Sequence, residues 1–207
     1  MLREQLNLGI SQKTLQTLAT DFAAGIELAD ADRPIARNAR SHQVYKPGIG
    51  PHPENATVSL VLTALTATRR TTWSGEQGVP YPGMSRQSCD LVIELVNETI
   101  FVEIKMLRMM GDNGKPNDNM IGHILSPYAR HRSALTDVAK LKESGFPGEK
   151  AILIFGYDYP DYPMELALDA FEKLADRGVS TPRAEAEFRD LVHPIHQAGR
   201  VAVWGVV

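Results

Sequence analysis

Asp90, Glu103 and Lys105 stand in two short apolar runs, residues 89 to 96 and 99 to 106, which read as β-strands separated only by Asn97 and Glu98. A hairpin closed at those two residues puts Val96 opposite Thr99, Asp90 opposite Lys105 and Val92 opposite Glu103. Alternate side chains share a face, so Asp90, Glu103 and Lys105 project from one side of the sheet, with Asp90 and Glu103 as diagonal neighbours. Diagonal positions lie roughly 7 to 8 Å apart, a gap that two inward-leaning carboxylates can close around a divalent cation. A lysine beside them holds a water or phosphate oxygen while balancing the carboxylates, and the chemistry this serves is metal-assisted hydrolysis. Val102, Ile104 and Met106 form an apolar set on the opposite face, which leaves Glu103 and Lys105 on the polar side. The plain alternative is an exposed Asp90–Lys105 cross-strand ion pair, worth about 0.2 to 1 kcal/mol. Register decides between them, because a one-residue slip sends Asp90 and Glu103 to opposite faces, and Asn-Glu lacks the glycine a two-residue turn favours.

Glu54 adds a fourth carboxylate. It opens a helical pattern in which Val58, Val61, Leu62 and Leu65 recur at i, i+3, i+4 and i+7, after Pro53 in the first turn. A carboxylate on that apolar stripe either meets the positive end of the helix dipole or reaches toward the hairpin as a further metal-side or water-binding group.

The elements that must position these residues form an α/β chain. Ser11 is suited to cap a first helix over residues 11 to 26, in which Leu15, Leu18, Phe22 and Ile26 keep helical spacing. Residues 30 to 53, with four prolines and two glycines, predict an irregular basic loop. After the Glu54 helix come a strand around 71 to 82, the hairpin, and a long polar segment over about 107 to 130. A helix follows near 132 to 144, with Leu135, Val138, Ala139 and Leu141 toward the core, then a buried strand at 151 to 155, a helix from 163 to 177, and a strand at 201 to 207. A mixed sheet with helices on both faces is the expectation. One domain is expected over residues 1 to 207: an N-terminal helix and basic loop (1 to 53), a core (54 to 155), and a C-terminal helix and strand (156 to 207).

The net charge of −3 is unpromising for binding a polyanion, but the distribution is uneven. Residues 33 to 53 carry Arg33, Arg37, Arg40 and Lys46 without an acid, and residues 104 to 136 carry Lys105, Arg108, Lys115, Arg130 and Arg132 against Asp112 and Asp118. Acids gather in residues 158 to 190. One face able to attract phosphates is the functional reading, and scattered solvated charge the bland one. No stretch approaches the roughly 20 apolar residues of a membrane span, no leader-like pattern opens the chain, and a cytoplasmic protein is expected. The lone Cys89 excludes an intrachain disulfide and cysteine-pair zinc sites, and is expected to pack as a small apolar residue.

Taken together, a helix bearing Glu54, then Asp90, twelve residues, and Glu103-Ile104-Lys105 resemble the PD-(D/E)xK nuclease superfamily. The order of elements from residue 54 to 155 matches its restriction-endonuclease-like αβββαβ core, over about half the chain, with Cys89 where the signature often has proline. The resemblance implies that Asp90 and Glu103 bind Mg2+ or Mn2+, with the backbone carbonyl of Ile104 as a further ligand. It implies that Lys105 orients or helps deprotonate the attacking water, and that Glu54 joins through the metal or its water shell. The implied reaction is hydrolysis of phosphodiester bonds in nucleic acid, DNA before RNA, by a homodimer where both strands are cut. Arg40, Lys46, Arg69, Arg70, Arg86, Arg108, Lys115, Arg130 and Arg132 are the candidate nucleic-acid contacts. A rival is a non-catalytic nucleic-acid-binding or assembly module of the same fold; a third reading is a metal-dependent hydrolase of small phosphate esters. His193 and His196 form H-x-x-H, yet Pro194 and the lack of a third ligand argue against zinc. His123 and His131 read as surface residues in the long segment after the hairpin, where Arg130 and Arg132 stand ready for phosphate.

Overall fold

Ser11 caps the first helix, α1 (Gln12–Ala31), by accepting the Thr14 backbone N–H at 3.1 Å. Leu15, Leu18, Phe22 and Ile26 are all buried on its inner face. Helix α2 (Glu54–Thr68) follows Pro53 and buries Val58, Val61 and Leu65, as their spacing requires. The two helices meet at Gly25, where a Cβ would stand 2.7 Å from Val61 Cγ1, so glycine sets how closely they approach. The computed structural model describes residues 9–38, 40–118 and 120–207. The start of the chain, on which the expectation about a leader bears, lies outside these residues.

Among the described residues six strands form one mixed sheet: β1 (Ser74–Tyr81), β2 (Met84–Glu94), β3 (Thr99–Leu107), β4 (Glu149–Tyr157), β5 (Ala184–Phe188) and β6 (Gly199–Gly205), in the order β1-β2-β3-β4-β6-β5. Only β3 and β4 run parallel, and their connection carries helices α3 (Gly122–Leu125) and α4 (Ala134–Glu143), the crossover that parallel neighbours need. Helix α5 (Glu165–Ala175) follows β4. One sheet face packs Leu91, Ile93, Val102, Ile104, Leu153 and Phe155 against α1 and α2. The other packs Phe101, Ile152, Ile154 and Trp204 against α3, α4 and α5. The central strand β4 therefore reads as a continuous buried run, AILIFGY, because both its faces are covered. Among the described residues no helix is long and apolar enough to cross a membrane.

Three expectations need correction. The β2–β3 register pairs Glu94 with Thr99 and Leu91 with Val102, a shift of two residues from the expected hairpin. Its connection is four residues long, closed by Leu95 N–H donating to Glu98 O at 2.8 Å, with Val96 exposed at the tip. Asn-Glu does not supply the left-handed conformations of a two-residue turn, so the chain takes a wider one. An even shift preserves which residues share a face, but it brings Asp90 toward Glu103 rather than opposite Lys105. On α4 it is Ala134, Asp137, Val138 and Leu141 that are buried, whereas Ala139 is exposed. Strand β5 was not expected at all: Ala-Glu-Ala-Glu-Phe contains no β-branched residue, and it pairs only with β6 at the sheet edge.

Candidate active site at the β2–β3 fork

The site originates in a kink. Gln77 pairs with Leu91 and Val79 with Cys89, but Gly78 and Asp90 between them do not pair, and Gly78 has a φ of 74° that favours glycine. Leu91 packs toward α1 and α2 while Cys89, two residues earlier, packs with the opposite core, so strand alternation breaks at Asp90. Pairing of β2 with β3 stops at Leu91–Val102, whereas β3 continues along β4 to Leu107. The β2-facing edge of β3 is thereby opened for its last residues.

Two carboxylates satisfy the backbone donors freed by that opening. Ile104 N–H donates to Asp90 Oδ2 at 2.8 Å, and Met106 N–H donates to Glu54 Oε2 at 2.5 Å. Glu54 sits at the start of α2, where the helix dipole favours its charge. Burial nonetheless raises its pKa, opposed by the charge of Lys105. Asp90, Glu54 and Ile104 line a cleft of about 710 Å³ together with His52, Ser59 and Gln77.

Glu103 and Lys105 approach the same edge from the α4 side. The Glu103 side chain is 2% exposed, accepts a hydrogen bond from the Tyr81 hydroxyl, and lies 2.9 Å from Lys140 Nζ. Burial, followed by the charges of Asp90 and Asp137, pushes its pKa up to about 8. Lys105 Nζ is 2.5 Å from Asp137 Oδ2, 3.9 Å from Asp90 Oδ2, and donates to the Ile104 carbonyl at 3.0 Å. Burial alone would lower the Lys105 pKa, but Asp137, Glu54 and Asp90 together hold it above its ordinary value. Lys140 Nζ is also 3.0 Å from Asp137 Oδ1 and 5.0 Å from the centre of the Tyr81 ring.

The four sequence-designated residues thus meet around the open edge of β3, Glu54 and Asp90 on the cleft side and Glu103 and Lys105 toward α4, rather than projecting from a single free face. Both faces of the sheet are covered, as expected, so the side expected to be polar lies under α4 rather than open. Sequence reasoning missed Asp137, Lys140 and Tyr81. Asp137 carries the same signal that marked Glu54, an acid three residues after Ala134 and four before Leu141 on a buried stripe. Among the described residues no group of three or more His, Cys, Asp or Glu side chains is arranged to hold a metal ion.

The candidate nucleic-acid contacts divide by position. Arg86 is exposed on β2, two residues from Ser88 at the cleft, and Arg108 follows β3 directly, with Nη1 donating to Gly50 O at 2.7 Å. Arg69 and Arg70 lie at the far end of α2, about 22 Å from Glu54 along a 15-residue helix, and are not brought to the site. Arg40, Lys46, Lys115 and Arg132 are exposed on loops, and Arg130 is exposed in a short 3-10 turn (Ala129–His131), its Nε held at 3.2 Å by His131 Nε2. His193 and His196 are buried and stack on each other at 4.7 Å. His196 is engaged by Asp112 and Tyr159. Cys89 is buried as expected, and burial pushes its thiol up to about 12.

No protein-family model, no curated protein and no solved structure matches the chain.

Proposed function

We propose that this chain is a metal-dependent phosphodiesterase acting on nucleic acid, DNA before RNA, with a restriction-endonuclease-like core running from α2 to β4. The observation that carries the reading is the meeting of Asp90 and Glu103 at a strand fork, beside the Ile104 carbonyl, with Glu54 and Lys105 on either side. Around that edge four carboxyl groups (Glu54, Asp90, Glu103, Asp137) face two ammonium groups (Lys105, Lys140), an excess of carboxyl oxygens over cationic partners. The donors are all hard oxygens, the class that Mg2+ and Mn2+ select, so this chemistry fits such a cation on Asp90, Glu103 and the Ile104 carbonyl. When bound there, the cation supplies Lewis acidity and lowers the pKa of a coordinated water.

The remaining roles belong to the chain. Asp90 and Glu54 hold the end of β3 in place through Ile104 and Met106, which fixes the backbone carbonyl between them. Lys105 shares its charge between Asp137, Asp90 and the Ile104 carbonyl, which positions it to balance a phosphate oxygen at that edge. Arg86, two residues from Ser88 at the cleft, and Arg108, directly after β3, lead the candidate phosphate contacts. A homodimer follows where both strands of a duplex are cut.

The test is cleavage of plasmid and single-stranded DNA with Mg2+ or Mn2+. The wild type is expected to cut, and Lys105→Ala to lose about 10² to 10⁴ in rate. A second reading is a nucleic-acid-binding module without catalysis. It is favoured by the 2.5 Å Lys105–Asp137 contact and by the lack of a three-side-chain metal group among the described residues. Binding of DNA with no cleavage in either metal would replace the first reading by the second.

A further inference from the structure

The cleft beside the fork, about 710 Å³, exceeds what a cation with six waters at about 30 Å³ each would fill. Its size lies within the roughly 300 to 1,000 Å³ of small-molecule sites. Its walls decide what enters. Glu54 and Asp90 line it, and among the described residues no lysine or arginine does. A phosphate drawn into the cleft would meet two carboxyl groups and no cation, so the occupant has to be an uncharged group. Ala56 and Leu60, both half-buried, add apolar surface to the same wall.

Three uncharged polar side chains, Asn55, Ser59 and Gln77, line the cleft as well. Asn55 and Ser59 are one turn apart on α2 and share a face. Ser59 Oγ donates to Gln77 Oε1 at 2.6 Å, and Gln77 Nε2 donates to the Asn55 carbonyl at 3.4 Å, so the Gln77 amide of β1 is held against α2. One Gln77 N–H remains unused. Asn55 Oδ1 accepts the Ala56 N–H at 2.8 Å, while Asn55 Nδ2 has no partner among the described residues. Ser59 Oγ keeps acceptor capacity. Amide donors and hydroxyl or amide acceptors beside an apolar wall match a nucleobase, which is flat and uncharged and carries donors and acceptors side by side on its edge.

Position ties these side chains to the fork. Asn55 follows Glu54 directly, and Gln77 pairs with Leu91, the residue after Asp90. A base stacked and paired inside a duplex cannot reach into a cleft, whereas an unpaired base can. We propose that this cleft is a nucleobase subsite, read by Asn55, Ser59 and Gln77, that takes an unpaired base next to the phosphate at the fork. The strand it fits is single-stranded. That the phosphate at the fork is the one cut rests on the phosphodiesterase reading, but binding of the base does not.

The test is a titration of the protein in EDTA, followed by the side-chain amide ¹H–¹⁵N resonances of Asn55 and Gln77. The probes are the four 2′-deoxynucleosides, an abasic deoxyribose, and a short DNA oligonucleotide before and after annealing to its complement. At least one nucleoside and the single strand are expected to move both signals, and the abasic sugar neither. The annealed duplex should bind about tenfold more weakly or worse. Gln77→Leu, read at the Asn55 signal, and Asn55→Ala, read at the Gln77 signal, should each weaken nucleoside binding about three- to tenfold, while the remote Arg69→Ala leaves it unchanged. The proposal is overturned if neither amide moves, if the abasic sugar moves them as far as any nucleoside, or if the duplex binds as well as the single strand. Equal weakening by Arg69→Ala and Gln77→Leu overturns it too. Cleavage of DNA without nucleoside binding sinks the subsite alone, and nucleoside binding without cleavage leaves it standing while removing the phosphodiesterase reading.

Discussion

The fork between β2 and β3 and the patch joining α5 to β5 and β6 contain the same ingredients in similar proportion. At the fork Lys105 and Lys140 face Glu54, Asp90, Glu103 and Asp137. In the patch Arg183 and Arg200 face Asp158, Glu165, Asp169, Glu172 and Glu185. Counting charges would rank the patch as the more acidic site. Solvent reverses that ranking. Glu103 and Asp137 are 2% and 5% exposed, whereas Glu165 and Asp169 are 43% and 46% exposed, and water screens their mutual repulsion. Burial raises the pKa of Glu54 and Glu103 at the fork, while in the patch it is the arginines that shift, upward, as the surrounding acids outweigh their partial burial. An excess of carboxylates marks a reactive site only where desolvation leaves it uncompensated.

The largest effect that would sharpen this contrast is loss of Asp137. It holds two ammonium groups, at 2.5 and 3.0 Å, in a nearly dry position, and Asp137→Ala leaves both without that partner. A destabilisation of about 3 to 5 kcal/mol is expected by urea denaturation. A loss under about 1 kcal/mol would mean that the fork is as well solvated as the patch.

Next in size is the pH dependence set by Glu103. Its folded pKa, about 8, lies above the ordinary value of 4.5, so the folded chain holds a proton that the unfolded chain releases. Stability from this group is therefore complete below about pH 4.5 and declines as pH rises through about 8, the reverse of a salt-bridged carboxylate. The decline should amount to a few kcal/mol for the metal-free protein. Glu103→Gln should flatten it, read as urea midpoints across pH 4.5 to 8.5. An unchanged slope in that variant would place the titration elsewhere.

A divalent cation should act on the fork and leave the patch untouched. With Mn2+ at about a hundred times its dissociation constant, stabilisation of about 2.7 kcal/mol is expected for the wild type and little for Asp90→Asn, measured as a shift in Tm at pH 8. Equal shifts in the two proteins would move the cation away from Asp90.

The sequence exposed the fork better than its surroundings for a physical reason. Asp90, Glu103 and Lys105 lie in one hairpin, where period-two alternation carries position, and an even error in register still kept Glu103 and Lys105 on one face and brought Asp90 to the same strand edge. Glu54 was legible because an acid on an apolar stripe is conspicuous, and Asp137 carried the same mark on α4. The kink at Gly78 and Asp90 was not legible, since it is a single pair skipped within a β1–β2 ladder that continues in the same register on either side. The buried polar cluster of Arg108, Asp112, His193 and His196 was still less so, because its residues share no local pattern. Among the strands, β4 announced itself through a run of apolar residues buried on both faces, whereas β5 is an edge strand with two glutamates, whose pairing with β6 overrides weak local propensity.

The smallest expected effect tests the patch itself. Asp169 contacts Arg183 at 2.9 Å, but the same guanidinium also holds Glu165, Glu172 and Glu185, so Asp169→Ala removes one of four partners from a wetted network. Screening and redundancy point the same way, and the change should cost about 0 to 1 kcal/mol in the urea assay applied to Asp137→Ala. It should also leave the Mn2+-dependent shift in Tm intact. The two aspartates have similar contact distances, 2.5 and 2.9 Å, so a difference in their effects isolates burial as the cause. If Asp169→Ala proved as damaging as Asp137→Ala, contact geometry rather than desolvation would govern both regions, and the carboxylate excess at the fork would lose its claim to be special.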